Sequence, residues 1–388
     1  MKQWIKGLLP LILVAGLVLL LFTVGPLGVF QAAFPPVEEL TISRIELPRP
    51  NQMVLHLVNG GPDPVTVAQV LVDDALWNYT TEPENRTIPR LGRMTVRVPY
   101  PWVEGEAHEV AVMTSTGLIF SRVIPVATQS PETNWTYFRT FALLGIYAGV
   151  IPVFLGLMWY PFLRNLSSLW IDFFLSLTVG LLFFLAVDTL AEALETAELV
   201  PSAFQGLLLV AIGVFGTLLI LFYLARSRPE RADKATPEGR HWTSLMIAVG
   251  IGLHNLGEGL AIGSAYSIGE IALGTFLVVG FMLHNLTEGL GILAPIAKDR
   301  PTLARLCLLG LIAGGPTVVG TWIGGFSYSP LWTTLFLAIG AGAILQVIYE
   351  LSQIFLRKRQ PAWISGYSLS GFLLGVLVMY ATGLMIVN

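Results

Sequence analysis

The chain has 388 residues, of which 54% are hydrophobic and only 12% are charged. Soluble domains carry about 25% charged residues, so this composition indicates an integral membrane protein. The net charge of −3 and the five histidines exclude a basic surface for nucleic acid. Cys307 is the single cysteine, which excludes an intrachain disulfide.

Residues 1–34 contain an apolar stretch near 7–30 that follows Lys2 and Lys6. Its uninterrupted part, from Gly7 to Val24, is longer than the roughly 7 to 15 residues of a signal-peptide core. We therefore interpret residues 1–34 as a retained membrane anchor. The alternative is a cleaved signal segment that ends near QAAF.

Residues 35–136 alternate apolar and polar side chains between Pro, Gly and Asn turns, which predicts a β-rich domain. The predicted strands lie in NQMVLHLVNGG, VTVAQVLV, MTVRVPY and HEVAVMTSTGLIFSRVIPV. The length suits a small β-sandwich. His56, His108 and the pair Asp73 and Asp74 could bind a metal ion, but we interpret them as polar residues on the exposed faces of strands.

Residues 137–388 contain eight apolar segments, each long enough for a transmembrane helix of about 20 residues. The predicted spans are 138–160, 169–194, 203–225, 242–266, 272–297, 305–325, 331–355 and 364–387. The fold class is therefore an all-α polytopic membrane protein, an eight-helix bundle preceded by an anchor helix and a small β-sandwich-like extracytoplasmic domain.

Positive charges are concentrated in the loops after the first, third, fifth and seventh spans of the bundle. They are Arg164, Arg226, Arg228, Arg231, Lys234, Arg240, Lys298, Arg300, Arg305, Arg357, Lys358 and Arg359. The opposite connections, around 195–202, 267–271 and 326–330, contain no Lys or Arg. The positive-inside rule then places residues 35–136 and the C-terminus outside the cytoplasm, in a multi-pass plasma membrane protein.

Two nearly identical polar motifs interrupt the fourth and fifth spans: HNLGEGLAIG at 254–263 and HNLTEGLGIL at 284–293. Each motif lies near the middle of its span, at the depth of the bilayer midplane. Because His and Glu are four residues apart, they share one helical face, which Asn borders. The short connection between the two spans predicts antiparallel neighbours, so both motifs meet at one depth.

An ionised carboxylate at the midplane costs at least about 2.5 to 3.5 kcal/mol, and neither Glu has a Lys or Arg nearby in sequence. A divalent cation would supply the missing positive charge. Two imidazoles and two carboxylates suit Zn²⁺ and tolerate Fe²⁺, Mn²⁺, Co²⁺ or Cd²⁺, and the asparagine carbonyls could complete an adjacent second position. The candidate metal site is His254, Asn255, Glu258, His284, Asn285 and Glu288.

Other polar residues in the spans predict a route to and from this site. Asp188, Glu192 and Glu195 form a stripe towards the outer end of the second span. Gln346 and Glu350 share a face in the inner half of the seventh span and could line an exit. Glycines near the motifs, Gly259, Gly263, Gly289 and Gly291, permit close helix approach.

With these motifs the chain resembles the ZIP (zinc- and iron-permease) family, particularly its GufA-like branch, over residues 137–388. The resemblance implies that the paired motifs form a central, often binuclear, transition-metal site, and that Glu350 is the acidic position of the seventh span. Three positions depart from the family pattern. Gly257 and Thr287 replace the frequent proline of HNIPEG, and Gly315 stands where many members have glutamate before proline.

The resemblance predicts a transporter rather than an enzyme, one that moves a divalent metal ion, zinc first, towards the cytoplasm and needs no cofactor. The absence of a P-loop pattern predicts that the metal gradient or the membrane potential drives transport. Two alternatives remain open: an intramembrane zinc-dependent hydrolase that uses metal-bound water, and a metal-sensing receptor whose residues 35–136 bind an unknown partner. A homodimer is compatible with all three.

Overall fold

The structure is a computed structural model that describes residues 12–20, 37–227, 236–268, 271–327, 329–356 and 365–387. Residues 12–20 form a helix (α1) within the predicted anchor, and most of that anchor lies outside the described residues. Residues Met1–Glu38 and Glu39–Asn388 form two separate compact units, so the β-rich region and the helical bundle belong together. The predicted division at residues 34 and 136 stays a prediction.

The β-rich region contains nine strands in two sheets. They are β1 (Leu40–Arg49), β2 (Gln52–Asn59), β3 (Val65–Val72), β4 (Ala75–Trp77), β5 (Thr80–Glu82), β6 (Thr87–Ile88), β7 (Arg93–Val98), β8 (His108–Thr114) and β9 (Ile119–Ile124). One sheet has the order β1-β2-β7-β5 and the other β4-β3-β8-β9, with β6 paired to β3, and the pairings are antiparallel. Apolar side chains from both sheets share one buried core, which confirms the sandwich-like prediction.

Of the polar residues predicted on exposed strand faces, His56 is partly exposed and Asp73 and Asp74 are exposed, whereas His108 is buried. His108 is 4% exposed, and its Nδ1 lies 2.8 Å from Oδ2 of Asp73, which also accepts the hydroxyl of Tyr100 at 2.7 Å. Burial and this hydrogen bond raise the pKa of Tyr100 to about 12, so the hydroxyl remains protonated. His56 lies 3.3 Å from Glu46. These two pairs belong to different sheets, so they do not form one metal site.

The described part of the chain has eight segments that are long and apolar enough to cross a membrane, as predicted. Their helices are α2 (Trp135–Gly145), α3 (Ile151–Leu157), α4 (Tyr160–Asn165), α5 (Ser168–Glu198), α6 (Gly206–Arg226), α7 (Pro237–Ser267), α8 (Ile271–Leu293), α9 (Leu303–Phe326), α10 (Pro330–Leu356) and α11 (Gly366–Val387).

Prolines change two of the predicted spans. The first span is predicted as one helix. In the structure a π-helical turn at Ile146–Val150 joins α2 to α3, just before Pro152, and a separate helix, α4, begins next to Pro161. The fifth span ends its α-helix at Leu293 and continues as a 3₁₀ turn around Pro295. Proline cannot donate a backbone hydrogen bond, so regular helical bonding is interrupted at these positions.

The β-rich region lies against the end of the bundle whose connections lack Lys and Arg. The carboxylate of Glu39 accepts the backbone N–H of Ser202 at 2.6 Å and also its hydroxyl. Arg44 donates to the backbone oxygen of Phe326 at 3.3 Å. The β-rich region therefore lies at the end of the bundle opposite the described basic residues Arg164, Arg240 and Lys298.

Interlocking glycines bring α7 and α9 into backbone contact. A Cβ atom added at any of four glycines would overlap a backbone carbonyl oxygen of the facing helix. The overlapping pairs are Gly259 with Thr317, Gly263 with Thr321, Gly320 with Leu256 and Gly324 with Leu260. Because only glycine permits this approach, the contact sets the depth of α7 relative to α9.

We predict that Gly320→Leu lowers the stability of the bundle by about 1 to 3 kcal/mol, since the carbonyl of Leu256 cannot move away as a flexible side chain would. The melting temperature of the detergent-solubilised protein measures this change. Gly216→Leu is the matched control, because a Cβ at Gly216 in α6 meets nothing within 4 Å. Equal melting temperatures of the two variants would contradict the proposed role of the interlocking glycines.

Candidate metal centre

The two HN motifs face each other across the α7–α8 interface in the middle of the bundle. α7 is the most enclosed of the eight described spans, whereas α6 and α11 are the least enclosed. All six motif side chains are buried, and the least covered of them, His284, is 5% exposed. The structure therefore brings together the six residues that the sequence predicts as neighbours.

Glu258 lies between the two imidazoles. Its Oε1 is 3.0 Å from Nε2 of His254 and 2.5 Å from Nε2 of His284. One ligand atom from each of the three residues lies within 4.8 Å of the others. Donor atoms of a tetrahedral Zn²⁺ site are about 3.4 Å apart for metal–ligand distances of about 2.1 Å, so these three side chains are close enough to share one ion.

The asparagines hold the carboxylates by crossed hydrogen bonds. Asn285 of α8 donates to Oε2 of Glu258 on α7 at 3.0 Å, and Asn255 of α7 donates to Oε2 of Glu288 on α8 at 3.2 Å. The same Asn side chains also donate to backbone oxygens, Asn285 to Ala148 at 2.9 Å and Asn255 to Ala313 at 3.1 Å. Each asparagine thus orients a carboxylate of the facing helix and fastens it to a third span.

Those backbone acceptors are the part of the site that sequence reasoning missed. Ala148 lies in the π-helical turn of the first span, and Ala313 lies in α9, three residues before Pro316. π turns are rare and occur frequently at functional sites. No side-chain motif marks Ala148, although a proline four residues later is a sign of irregular backbone hydrogen bonding.

Four buried polar atoms around the carboxylates have no hydrogen-bond partner among the described residues: Nδ1 of His254, Oδ1 of Asn255, Oδ1 of Asn285 and Oε1 of Glu288. Three of the four are oxygens, which accept hydrogen bonds or bind cations. Glu258 and Glu288 are 3% and 1% exposed, and neither forms an ion pair with Lys or Arg in the described chain. Buried polar groups are normally satisfied, so this cluster requires a donor or a positive charge.

Glu288 lies beside the three-residue cluster rather than in it. The sequence predicts a symmetric set of two imidazoles and two carboxylates, yet only Glu258 lies within reach of both histidines. Asn255 of α7 donates a hydrogen bond to the carboxylate of Glu288 on α8. The carboxylates of Glu288 and Glu258 are close enough to interact electrostatically. The two halves of the repeated motif are thus unequal in the folded protein.

Gly257 and Thr287, which stand where the family pattern often has proline, leave both helices continuous. α7 passes through Gly257 without a break, and a Cβ there would meet only ordinary contacts, the nearest at 3.6 Å. In α8 the hydroxyl of Thr287 donates to the backbone oxygen of His284 at 2.7 Å. The Thr287 side chain therefore bonds back to the same turn of helix that holds His284, a pattern that tends to bend helices slightly. At Gly315, a Cβ would meet open space.

The predicted route residues lie on both sides of the centre. Asp188 and Glu192 on α5 have exposed side chains, and Asp188 acts electrostatically on His254 and His284 while Glu192 acts on Glu258. Glu195, one turn further towards the β-rich region, is also exposed. The acids therefore extend from the centre towards the β-rich end of the bundle.

Gln346 and Glu350 lie towards the opposite end. Gln346 is fully buried on α10, and neither of its amide atoms has a partner among the described residues. Its Oε1 would lie 3.4 Å from a Cβ at Gly250, one turn before His254 on α7. Glu350 follows one turn later and is 4% exposed. Polar side chains therefore continue past the centre on the side away from the β-rich region.

The chain was also compared with known proteins. It has no significant match among curated proteins. One family model, described as ZIP Zinc transporter, matches residues 225–383, which is less than half of the chain. The matched segment contains the six motif residues together with Gln346 and Glu350, whereas the β-rich region and α2 to α5 lie outside it. Residues 225–383 are therefore similar to the ZIP zinc transporter family.

Proposed function

We propose that this protein carries a divalent transition-metal ion, zinc first, across the membrane through the centre between α7 and α8. The observation that carries the proposal is the buried set of His254, Glu258 and His284, whose ligand atoms lie within 4.8 Å of one another. The family match of residues 225–383 supports the same substrate class. We also assign the protein to the GufA-like branch, on its paired HN motifs.

Charge explains why a cation is the ligand. Two carboxylates in the apolar interior are costly when ionised, and a divalent ion offsets both at once. Glu258 supplies the oxygen between the imidazoles, and the unpartnered Oε1 of Glu288 supplies negative charge next to it. Ligand identity alone is permissive, so Fe²⁺, Mn²⁺, Co²⁺ and Cd²⁺ would also bind, less favoured than Zn²⁺ at a set rich in imidazole.

The proposed direction is from the β-rich end to the basic end, which the positive-inside rule assigns to the cytoplasm of a plasma membrane protein. Asp188 and Glu192 would attract the cation on the outer side. Gln346 would offer its amide oxygen below the centre, and Glu350 would follow one turn later. Transport would follow the metal gradient or the membrane potential.

The packing of the spans offers a way to expose the centre alternately to the two sides. α7 packs mainly against α9, and it contacts α10 more extensively than α8. α8 lies next to the first span, and α5, α6, α10 and α11 pack mainly among themselves. The centre lies where these two groups meet, since a Cβ atom built on Gly340 of α10 would lie 3.5 Å from Nδ1 of His254. We propose that rocking of the α7–α8 group against the other group moves the ion between the two faces.

We predict that Glu258→Gln lowers zinc uptake into proteoliposomes by more than about 100-fold, because loss of an outer-shell partner alone typically costs about 10- to 100-fold in metal affinity and Glu258 is a direct ligand. Uptake is measured with a zinc indicator sealed inside the vesicles. The glutamine keeps the volume and can still accept from Asn285, so the fold is retained.

Glu198→Gln is the matched control, since Glu198 ends α5 and is exposed. Its uptake should equal that of the unchanged protein. Undiminished zinc uptake by Glu258→Gln would contradict the proposal that this centre carries the ion. Zinc binding without any flux in the unchanged protein would instead favour a sensing receptor over a transporter.

We predict that Gln346→Leu lowers the uptake rate at least several-fold while the melting temperature stays equal or rises. An unsatisfied buried polar group destabilises a protein by about 1 to 3 kcal/mol, and leucine of similar size removes that penalty. A purely structural glutamine would give the reverse result, a lower melting temperature with unchanged uptake per folded protein. Both quantities are measured on the same preparation.

A further inference from the structure

A cavity of about 530 Å³ opens at the basic end of the bundle, and no residue of either HN motif lines it. It lies where α7 and α9 begin, and its walls come from the first two turns of α7 and from the residues that lead into α9. The lining side chains that matter here are Glu238, His241, Trp242, Leu245, Arg300 and Arg305. None of them belongs to the proposed metal route.

The charge of this cavity is positive. Arg300 and Arg305 face a single carboxylate, Glu238, so the lining carries a net positive charge even with His241 neutral. The N-terminal ends of α7 and α9 add the positive ends of their helix dipoles. Two arginines beside two helix beginnings favour an anion.

Two buried nitrogen atoms in the lining have no partner among the described residues. They are Nε of Arg305 and Nδ1 of His241. Another nitrogen of Arg305 donates to the backbone oxygen of His241 at 3.1 Å, which holds the guanidinium at the cavity wall. The Nε–H group of arginine is always a donor, so it requires an acceptor that the described residues do not supply.

The apolar surface beside the cavity indicates that this ligand is part of a lipid. Leu308 follows Arg305 by three residues, which places it on the same side of α9, and it is 49% exposed. Leu245 lines the cavity and lies one turn after His241 on α7. Trp242 is a residue type enriched at membrane interfaces. An anionic headgroup in the cavity would therefore have its acyl chains against leucines that lead into the bilayer.

We propose that this cavity binds the phosphate-bearing headgroup of an anionic phospholipid in the membrane leaflet at the basic end. Oxygen atoms of the phosphodiester accept from Arg305 and Arg300, and the acyl chains lie along Leu308. Because Glu238 offsets part of the positive charge, a singly charged headgroup such as phosphatidylglycerol suits the cavity better than a polyphosphorylated one.

Native mass spectrometry of the purified full-length protein, with phosphatidylglycerol titrated against phosphatidylcholine, tests this proposal. We expect preferential retention of phosphatidylglycerol, weakened by about fivefold in Arg300→Gln and again in Arg305→Gln, the loss expected for one basic residue near an anionic surface. Arg300 is exposed, so its variant keeps the fold even if removal of the partly buried Arg305 disturbs it.

Arg164→Gln is the control, because Arg164 is an exposed residue at the same end that does not line the cavity. Equal weakening by Arg164→Gln would show general attraction to a basic surface and overturn the proposal, as would unchanged affinity in both cavity variants. A final arm adds inorganic phosphate at millimolar concentration. If phosphate displaces phosphatidylglycerol completely, the cavity takes soluble phosphate and the assignment to lipid is overturned.

Discussion

The burial of two carboxylates in the middle of an apolar bundle is the constraint on which the rest of this structure depends. An ionised group at that depth is unfavourable unless other groups compensate for the lost water. Here the compensation comes from two imidazoles around Glu258 and from the crossed asparagine bonds to Glu258 and Glu288. Because each asparagine is also bound to the backbone of a third span, the centre holds together the first span, α7, α8 and α9.

Close helix packing is what lets short side chains reach those backbone acceptors. The carbonyl of Ala313 is within reach of Asn255 because glycines of α7 and α9 bring the two backbones into contact. At the first span, Gly149 lies directly against the side chain of Thr317, next to the residue that accepts from Asn285. Small residues therefore set the depth and the rotation at which the asparagine amide groups meet the carboxylates.

The two ends of the bundle have different chemistry. At one end, Glu39 binds Ser202 in the connection after α5, and Arg44 binds the backbone of Phe326 at the end of α9. The β-rich region therefore contacts both the group of helices that contains α5 and the group that contains α7 and α9. At the other end Arg240 and Asp299 form an ion pair, and the arginine-lined cavity opens between α7 and α9. The candidate metal centre therefore lies between an end that the β-rich region covers and an end that carries basic residues.

Much of this architecture follows from local patterns in the sequence. Alternation of apolar and polar residues in part of VTVAQVLV predicted a strand that the structure places at Val65–Val72. The length of each apolar run predicted the eight spans. β1, from Leu40 to Arg49, was missed because its burial does not alternate and its pairing with β2 contains register shifts. The spacing of His and Glu by four residues determined that each motif occupies one helical face.

Only the tertiary structure decided that Glu258, and not Glu288, lies between the imidazoles. It also decided that His108 is buried beside the exposed Asp73, and that the carbonyls of Ala148 and Ala313 complete the centre. The physical reason is common to all three. Periodicity is a property of neighbouring residues, whereas the rotation and depth of one element against another come from packing between residues distant in the chain.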